Sequence, residues 1–156
     1  TELFSPATLE KCIKDADVVI GTVLVHGGSS TPKLITKEML KQMKNGSVLV
    51  DITIDQGGIS ECSYPTTHTN PVFVEEGVLH YCVANMPGAY PKTASMALTN
   101  ATFSYVRKLA NEGLAEALKN DASLRLGVNV FKGSLTNNAV AEICNEQYRD
   151  IDSLIY

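Results

Sequence analysis

Asp55 stands at a position in the sequence that is typical of a chemical role. It directly follows a short run of apolar and β-branched residues, 48–54, and precedes Gln56-Gly57-Gly58. If that run is a strand of an open parallel sheet, Asp55 lies at the carboxyl end, where such sheets bind ligands. A carboxylate there can transfer protons to a bound ligand or stabilise a positive charge. An aspartate that only caps the following turn is the alternative.

Two further aspects of this region bear on the site. Asp51 precedes Asp55 by four residues, which in a continuous strand places both carboxylates on one face, with one of them expected to be used. Asn85 ends another apolar segment just before Met86-Pro87-Gly88, where its amide can contact a ligand or simply favour the turn. His26 follows the first apolar run, residues 18–25, and also falls at a crevice position.

Other kinds of catalytic or metal site find little support. The three histidines and four cysteines are scattered without metal-ligand spacing, so no metal site is predicted. Sequence patterns of serine hydrolases, phosphate-binding loops and zinc proteases do not occur.

The elements that would position these residues alternate between helix and strand. Ser5 and Pro6 are typical of a helix start, and the helix is expected to close at residues 15–17. Strands are predicted at residues 18–25 and 47–54, with a glycine-serine turn at 27–30 and a helix at 36–44 between them. This alternation predicts an α/β fold with a parallel sheet and right-handed crossovers.

The pattern changes along the second half of the chain. Residues 72–74 and 78–83 flank Glu75-Glu76-Gly77, which predicts a hairpin or a bent strand pair. After the Pro87–Pro91 break, helices are predicted at residues 94–109, 112–119 and 139–144, with an extended piece at 128–131. We therefore predict two domains, residues 1–90 and 91–156.

Composition sets broad limits on function. The 156 residues are 44% hydrophobic and 19% charged with a net charge of -4, as in ordinary globular proteins. No apolar run approaches the roughly 18 residues of a membrane span, and no basic block favours nucleic acid. The start lacks signal-peptide features, and the scattered cysteines favour a reducing compartment, so a cytoplasmic location is expected.

A dinucleotide-binding fold normally opens with a strand, a G-x-G-x-x-G turn and a helix. No segment of this chain has that spacing, although the strands resemble the later strands of such a fold. Either the likeness is superficial, or the first half of the fold is missing from this chain.

Several long motifs resemble alanine dehydrogenases, and they occur in the family's order. The most specific are G-S-V-L-V-D-I-T-I-D-Q-G-G at residues 46–58 and H-Y-C-V-A-N-M-P-G-A at residues 80–89. Shorter matches are A-D-V-V-I-G at 16–21, P-K-L-I at 32–35, P-T-T-H at 65–68 and A-L-T-N-A at 97–101. The resemblance implies the distal part of a Rossmann-type parallel sheet, followed by C-terminal helices that pack on a missing substrate domain.

The resemblance also implies an activity and a site. The reaction would be the reversible oxidative deamination of L-alanine by NAD to pyruvate, ammonia and NADH, with Asp55 as a catalytic residue. Asn85 would also bind the substrate. The implied NAD-binding residues are Ser5, Leu24, Val25, Ile52, Thr53, Ile54, Asp55, Val83, Ala84, Asn85 and Met86.

The implied partners follow from what the family has upstream of this segment. Its phosphate loop, acidic ribose-binding residue, catalytic histidine and substrate-binding arginine and lysine all belong to an N-terminal half. The chain alone is therefore expected to be inactive, and the complete protein is expected to form a homo-oligomer, a hexamer by resemblance. Two alternatives stay open: a fragment of a transhydrogenase nucleotide-binding domain, and a non-catalytic remnant that serves as an assembly or binding module.

Overall fold

The computed structural model describes residues 1–25 and 30–155. His26 and most of the turn predicted at residues 27–30 lie outside the described residues. The chain divides into two compact units, Thr1–Ala89 and Tyr90–Tyr156.

The first unit contains a four-stranded sheet. Its strands are β1 (Val18–Gly21), β2 (Val48–Asp51), β3 (Val72–Glu75) and β4 (Val78–Tyr81), in the spatial order β1-β2-β4-β3. β1, β2 and β4 are parallel, and β3 is antiparallel to β4 at one edge. The α/β fold class expected from the sequence is confirmed, with an antiparallel edge strand added to the parallel sheet.

One helix precedes each of the first two strands. α1 (Pro6–Asp15) starts as the sequence predicts, because the Ser5 hydroxyl accepts a hydrogen bond from the Thr8 N–H at 3.0 Å. α2 (Lys37–Leu40) is capped by Thr36 and is shorter than the helix predicted at residues 36–44. After Leu40 the chain tightens, with the Met43 N–H bonded to the Leu40 carbonyl, and this turn carries Met43 into the core.

The interior of this unit is a single apolar cluster. It joins the two helices, the sheet and the segment that follows β2, and it comprises Ile13, Ile35, Leu40, Met43, Leu49, Ile59 and Val78. Burial of these side chains is the main term that holds the sheet together.

Both predicted buried strands end earlier than expected. β1 and β2 pair in parallel register as far as Gly21 and Asp51, rather than to residues 25 and 54. The Asp51 side chain accepts hydrogen bonds from the Thr53 backbone and hydroxyl, which turns the chain into a 3-10 helix, Ile52–Gln56. Residues 22–25, which follow β1, therefore have no ladder partner on β2.

The hairpin predicted around Glu76-Gly77 is confirmed. Its two turn residues have φ of 50° and 77°, the positive values that a type I′ turn requires at both central positions. β4 ends at Tyr81, but the next residues still pair with the loop before β3. Thr66 bridges Val83 in parallel, donating its N–H to the Cys82 carbonyl at 2.8 Å.

The second unit is mainly helical. It contains α3 (Pro91–Glu112), α4 (Leu114–Asn120), α5 (Ala122–Leu126), α6 (Asn138–Cys144), α7 (Asp152–Ile155) and the short pair β5 (Val130–Phe131) and β6 (Ser134–Leu135). Gly113, at φ 76°, separates α3 from α4, so Glu112 belongs to the first helix and not to the second as predicted. α5, β6 and α7 were not predicted from the sequence.

Among the described residues, no helix combines the length and apolar character needed to cross a lipid bilayer.

Candidate functional site

The carboxyl ends of three parallel strands define one edge of the sheet. β1, β2 and β4 run in the same direction, so the segments that leave them start side by side. With the exception of Ser5, every site residue predicted from the sequence lies on one of these segments: residues 22–25, 52–58 and 82–89. This edge is where open α/β sheets bind ligands.

Asp51 is a buried structural carboxylate at this edge. One of its oxygens accepts hydrogen bonds from the Thr53 N–H and hydroxyl, at 3.2 and 2.8 Å. The other accepts from the Ile59 N–H at 2.8 Å and the Ser63 hydroxyl at 2.6 Å. The side chain is fully buried, so these four hydrogen bonds replace the water that a carboxylate would otherwise need.

Asp55 occupies a different environment from Asp51. It lies within the 3-10 helix, and it is exposed. The prediction that the two carboxylates share one strand face is wrong, because the strand ends at Asp51 and the chain turns before Asp55. The turn closes through the Gly57 N–H, which donates to the Ile54 carbonyl at 2.9 Å.

The three residues before Asp55 divide between surface and interior. Ile52 is 50% exposed at the edge of the sheet. Thr53 and Ile54 are buried, and Thr53 is bonded to Asp51. Of these three predicted cofactor contacts, Ile52 is the one whose side chain is exposed.

The two glycines after Gln56 are held by close packing at Gly58 and by hydrogen bonds to both of their carbonyls. Gly58 has φ of 78°, and a Cβ there would lie 2.6 Å from an Asp51 carboxylate oxygen, so a larger residue does not fit. The Lys33 ammonium group donates to the carbonyls of Gly57 and Gly58. The motif therefore needs its second glycine for close packing against Asp51.

The segment after β1 is connected to this turn by Gln56. The Gln56 amide donates to the Val25 carbonyl at 3.0 Å and accepts from the Val25 N–H at 3.1 Å. The Gln56 carbonyl also accepts from the Thr31 N–H at 2.8 Å. Leu24, the neighbour of Val25, is 68% exposed.

The segment after β4 places Asn85 at the surface. Val83 is buried, and Ala84 and Met86 are half-buried. Asn85 is exposed with φ of 55°, a left-handed conformation that asparagine tolerates better than most residues. Its carbonyl accepts from the Gly88 N–H at 2.9 Å and lies 3.1 Å from the His68 Nε2.

Ser5 is the one predicted site residue outside these segments. Its half-buried hydroxyl caps α1 and is bonded to the Thr8 hydroxyl at 2.8 Å.

Three residues that shape this edge were not predicted as site residues from the sequence: Lys33, Gln56 and His68. Gln56 stands inside the most specific motif, and His68 inside P-T-T-H, so both motifs carried a signal. Their partners lie 31 and 17 residues away in the chain. Only the folded sheet reveals such long-range contacts.

Two buried groups beneath the site have shifted pKa values. Burial lowers the pKa of His80, which stacks on Phe73 and whose Nδ1 donates to the Val78 carbonyl at 3.0 Å. Its Nε2 is buried and has no partner in the described part of the chain. Burial also raises the pKa of the Cys82 thiol to about 11, which keeps it protonated and unreactive.

No group of three or more histidine, cysteine or acidic side chains is arranged to hold a metal ion within residues 1–25 and 30–155.

The chain is similar to known proteins over its whole length. A sequence of alanine dehydrogenase 2 from Staphylococcus aureus (strain MRSA252) is 47% identical over 157 residues, covering 100% of this chain and 42% of that protein. The counterpart from strain USA300 is 47% identical over 156 residues, with coverages of 99% and 42%. The chain therefore spans less than half the length of these relatives.

Comparison with solved structures gives the same similarity to alanine dehydrogenases as comparison of sequences. An L-alanine dehydrogenase superposes with a TM-score of 0.78 and 45% identity, covering 91% of this chain and 39% of that one. A transhydrogenase from Sinorhizobium meliloti superposes with a TM-score of 0.52 and 34% identity, covering 58% and 25%. The family model described as "Alanine dehydrogenase/PNT, C-terminal domain" matches residues 2–138. The resemblance found in the sequence is thus confirmed, and the chain belongs to the alanine dehydrogenase/PNT family as a C-terminal domain.

Proposed function

We propose that this segment is the C-terminal part of an NAD-dependent L-alanine dehydrogenase. The reaction is the reversible oxidation of L-alanine with NAD and water to pyruvate, ammonia and NADH. Activity requires an N-terminal half that completes the cofactor and substrate sites. The observation that carries the proposal is the exposed carboxylate of Asp55 at the carboxyl edge of the sheet, within a motif shared with alanine dehydrogenases.

The residues at this edge fit a nicotinamide nucleotide. Leu24 and Ile52 are exposed apolar side chains, suited to the flat faces of a ring. The exposed amide of Asn85 offers both a donor and an acceptor. When bound, NAD supplies the acceptor for the hydride that leaves the α-carbon of alanine.

The proposed contacts of the remaining cofactor-binding residues follow from their placement. Thr53, Ile54 and Val83 are buried, so contact with NAD would come through their backbone atoms. Val25, Ala84 and Met86 are half-buried along the same segments. Ser5, whose hydroxyl caps α1, is proposed to lie near the adenosine part of the cofactor.

Asp55 is proposed to handle protons after the hydride has left. Oxidation of the amine gives an imine, water adds to its carbon, and the resulting carbinolamine loses ammonia to give pyruvate. Hydride departure leaves the imine protonated, so water gives up a proton as it adds, and the exposed carboxylate can accept that proton. The carboxyl group can then protonate the carbinolamine nitrogen for the departure of ammonia, while the carbinolamine hydroxyl releases its own proton to solvent as the carbonyl forms. Asn85 is proposed to orient the substrate by hydrogen bonding through its amide.

The proposal includes the wider setting of the enzyme. The complete protein is proposed to be a cytoplasmic homo-oligomer of the hexameric kind implied by the family. A transhydrogenase nucleotide-binding domain is the second candidate, favoured by the superposition on the Sinorhizobium protein, which covers a smaller share of this chain. A non-catalytic assembly module is the third.

The test is Asp55→Asn in the full-length protein that carries this segment. General acid-base help is typically worth about 10² to 10⁴ in rate, so kcat should fall by that order. NADH affinity should stay nearly unchanged, because the amide keeps the size of the side chain. Steady-state kinetics with alanine and a fluorescence titration with NADH measure both quantities.

The matched control is Asp17→Asn, whose side chain is 83% exposed and paired with Lys44 at the surface. It should leave kcat unchanged. Near-normal kcat in Asp55→Asn would remove the catalytic role assigned to Asp55. A wild-type protein that forms no NADH from alanine would contradict the proposed activity altogether, and the segment by itself is expected to form none.

A further inference from the structure

We propose that Gln56 is a positioning residue that holds the proposed cofactor contacts of Leu24 and Val25 at a fixed distance from the turn carrying Asp55. The inference rests on the proposed function and extends it from the residues that touch the ligand to one that sets their spacing.

The backbone of Val25 is held by the Gln56 side chain. β1 ends at Gly21, so Val25 lies beyond the backbone ladder of the sheet. The Gln56 amide donates to its carbonyl at 3.0 Å and accepts from its N–H at 3.1 Å. One side chain thus satisfies both backbone groups of Val25, as a neighbouring strand would.

The turn that carries Gln56 is anchored by contacts that do not involve Val25. Gln56 is the last residue of the 3-10 helix, which Asp51 fixes through the backbone and hydroxyl of Thr53. Lys33 holds the two carbonyls that follow it, those of Gly57 and Gly58. Because the turn is anchored independently, loss of the Gln56 side chain should release Val25 rather than Asp55.

The contact with Val25 depends on the amide group of the Gln56 side chain. The contact needs a donor and an acceptor at the end of a side chain of this length, which glutamine provides. Ionised glutamate keeps the acceptor and loses the donor, and methionine keeps the length and loses the amide hydrogen bonds. The residue is half-buried, so water competes only partly for these groups.

Loss of the Gln56 side chain should therefore weaken cofactor binding much more than it lowers kcat. Leu24, next to the released Val25, is an exposed apolar contact proposed for the cofactor. The two hydrogen bonds that hold Val25 are lost, so Gln56→Met should weaken NADH binding about tenfold. The rate constant kcat should change much less, since Asp55 stays in place. A residue with a general structural role would not produce this split.

The experiment uses the full-length protein with Gln56→Met, Gln56→Glu and the control Gln42→Met. Gln42 is exposed and lies in the same unit just after α2. NADH affinity is measured by fluorescence titration, kcat and KM for NAD by steady-state kinetics, and Val25 amide exchange by mass spectrometry or NMR. Gln56→Met and Gln56→Glu should both weaken binding and accelerate Val25 exchange, and Gln42→Met should change neither.

Two results overturn the inference. One is unchanged NADH affinity in Gln56→Met, and the other is an equal loss in Gln42→Met. If Gln56→Met does not fold, Gln56→Glu carries the same comparison, because it removes the donor to the Val25 carbonyl. If the wild type oxidises no alanine, the proposed function fails, while NADH affinity and Val25 exchange still report on the role of Gln56.

Discussion

The sheet unit, Thr1–Ala89, and the helical unit, Tyr90–Tyr156, differ in how they bury apolar side chains. The sheet unit has a continuous cluster of seven buried apolar residues that joins helices, strands and the segment after β2. In the helical unit, α3 is 22 residues long and contains no buried residue. Apolar side chains such as Met96, Leu98 and Phe103 remain exposed along it.

The difference shows why the candidate site belongs to the sheet unit. Asp55 and Asn85 are exposed, but each stands on a segment whose neighbours are buried or hydrogen-bonded. A site keeps its geometry only when the surrounding structure is stable against local opening. The helical unit has less interior of its own, so its backbone is expected to open at lower free energy.

The largest effect is expected from a matched pair of aspartates, one in each unit. Asp51→Ala leaves three buried donors and the partly buried Ser63 hydroxyl without their acceptor, each worth about 1 to 3 kcal/mol, so the free energy of unfolding should fall by about 4 kcal/mol or more. Urea unfolding measures the change.

Asp121→Ala is the counterpart in the helical unit. Asp121 caps α5 by accepting from the Leu124 N–H and pairs with Lys108 near the surface. The loss of unfolding free energy should be smaller, because Asp121 caps one helix and pairs with one lysine, whereas Asp51 accepts four hydrogen bonds. Equal losses of unfolding free energy in Asp51→Ala and Asp121→Ala would contradict the expected difference between the two units.

A second pair compares two leucines. Leu49→Ala on β2 removes a fully buried side chain and should cost about 3 kcal/mol, as cavities in packed cores do. Leu98→Ala on α3 changes a side chain that is 66% exposed and should stay within about 0.5 kcal/mol. Chemical denaturation of both variants decides the matter, and a costly Leu98→Ala would mean that α3 is covered in solution.

The smallest effect concerns pH and His80. Burial lowers its pKa below the ordinary 6.5, so the unfolded chain binds the proton more readily than the folded one. The stability contributed by neutral His80 is therefore present above pH 6.5 and lost as pH falls through the lowered pKa. Hydrogen bonding and the charges of Glu75 and Asp51 oppose this shift without reversing it.

The measurement is urea unfolding at several pH values between about 5 and 7.5. His80→Phe keeps a ring to stack on Phe73 and should flatten the dependence in that range. In the helical unit, the lowered pKa of Asp121 places its contribution at more acid pH, below the ordinary 3.8. An unchanged pH dependence in His80→Phe would assign the acid response of the sheet unit to another group.

Short local signals were sufficient for several features of this fold. Ser5 and Pro6 marked the start of α1, and Glu76-Gly77 marked the hairpin turn. Each signal depends on the conformational preferences of the residues that carry it, which adjacent sequence determines. The alternation of helices and strands, and with it the α/β class, followed from the same local patterns.

The ends of the strands could not be predicted in this way. Residues 18–25 and 47–54 are equally apolar before and after the points where β1 and β2 stop. The stop in β2 depends on Asp51 turning its carboxylate to Thr53, Ile59 and Ser63, as much as twelve residues further along the chain. The point at which β2 ends therefore depends on which groups become buried in the folded unit, and the residues of one strand do not determine that.

By itself, the sequence determined the family motifs and the order of the elements from α1 to β4. Only the tertiary structure decided that Asp51 is an interior acceptor and Asp55 an exposed carboxylate. It alone brought Gln56 to Val25, 31 residues away, and His68 to Asn85, 17 residues away. The physical reason is that hydrogen bonds between distant segments form only after strand register and core packing have set which backbone groups face each other.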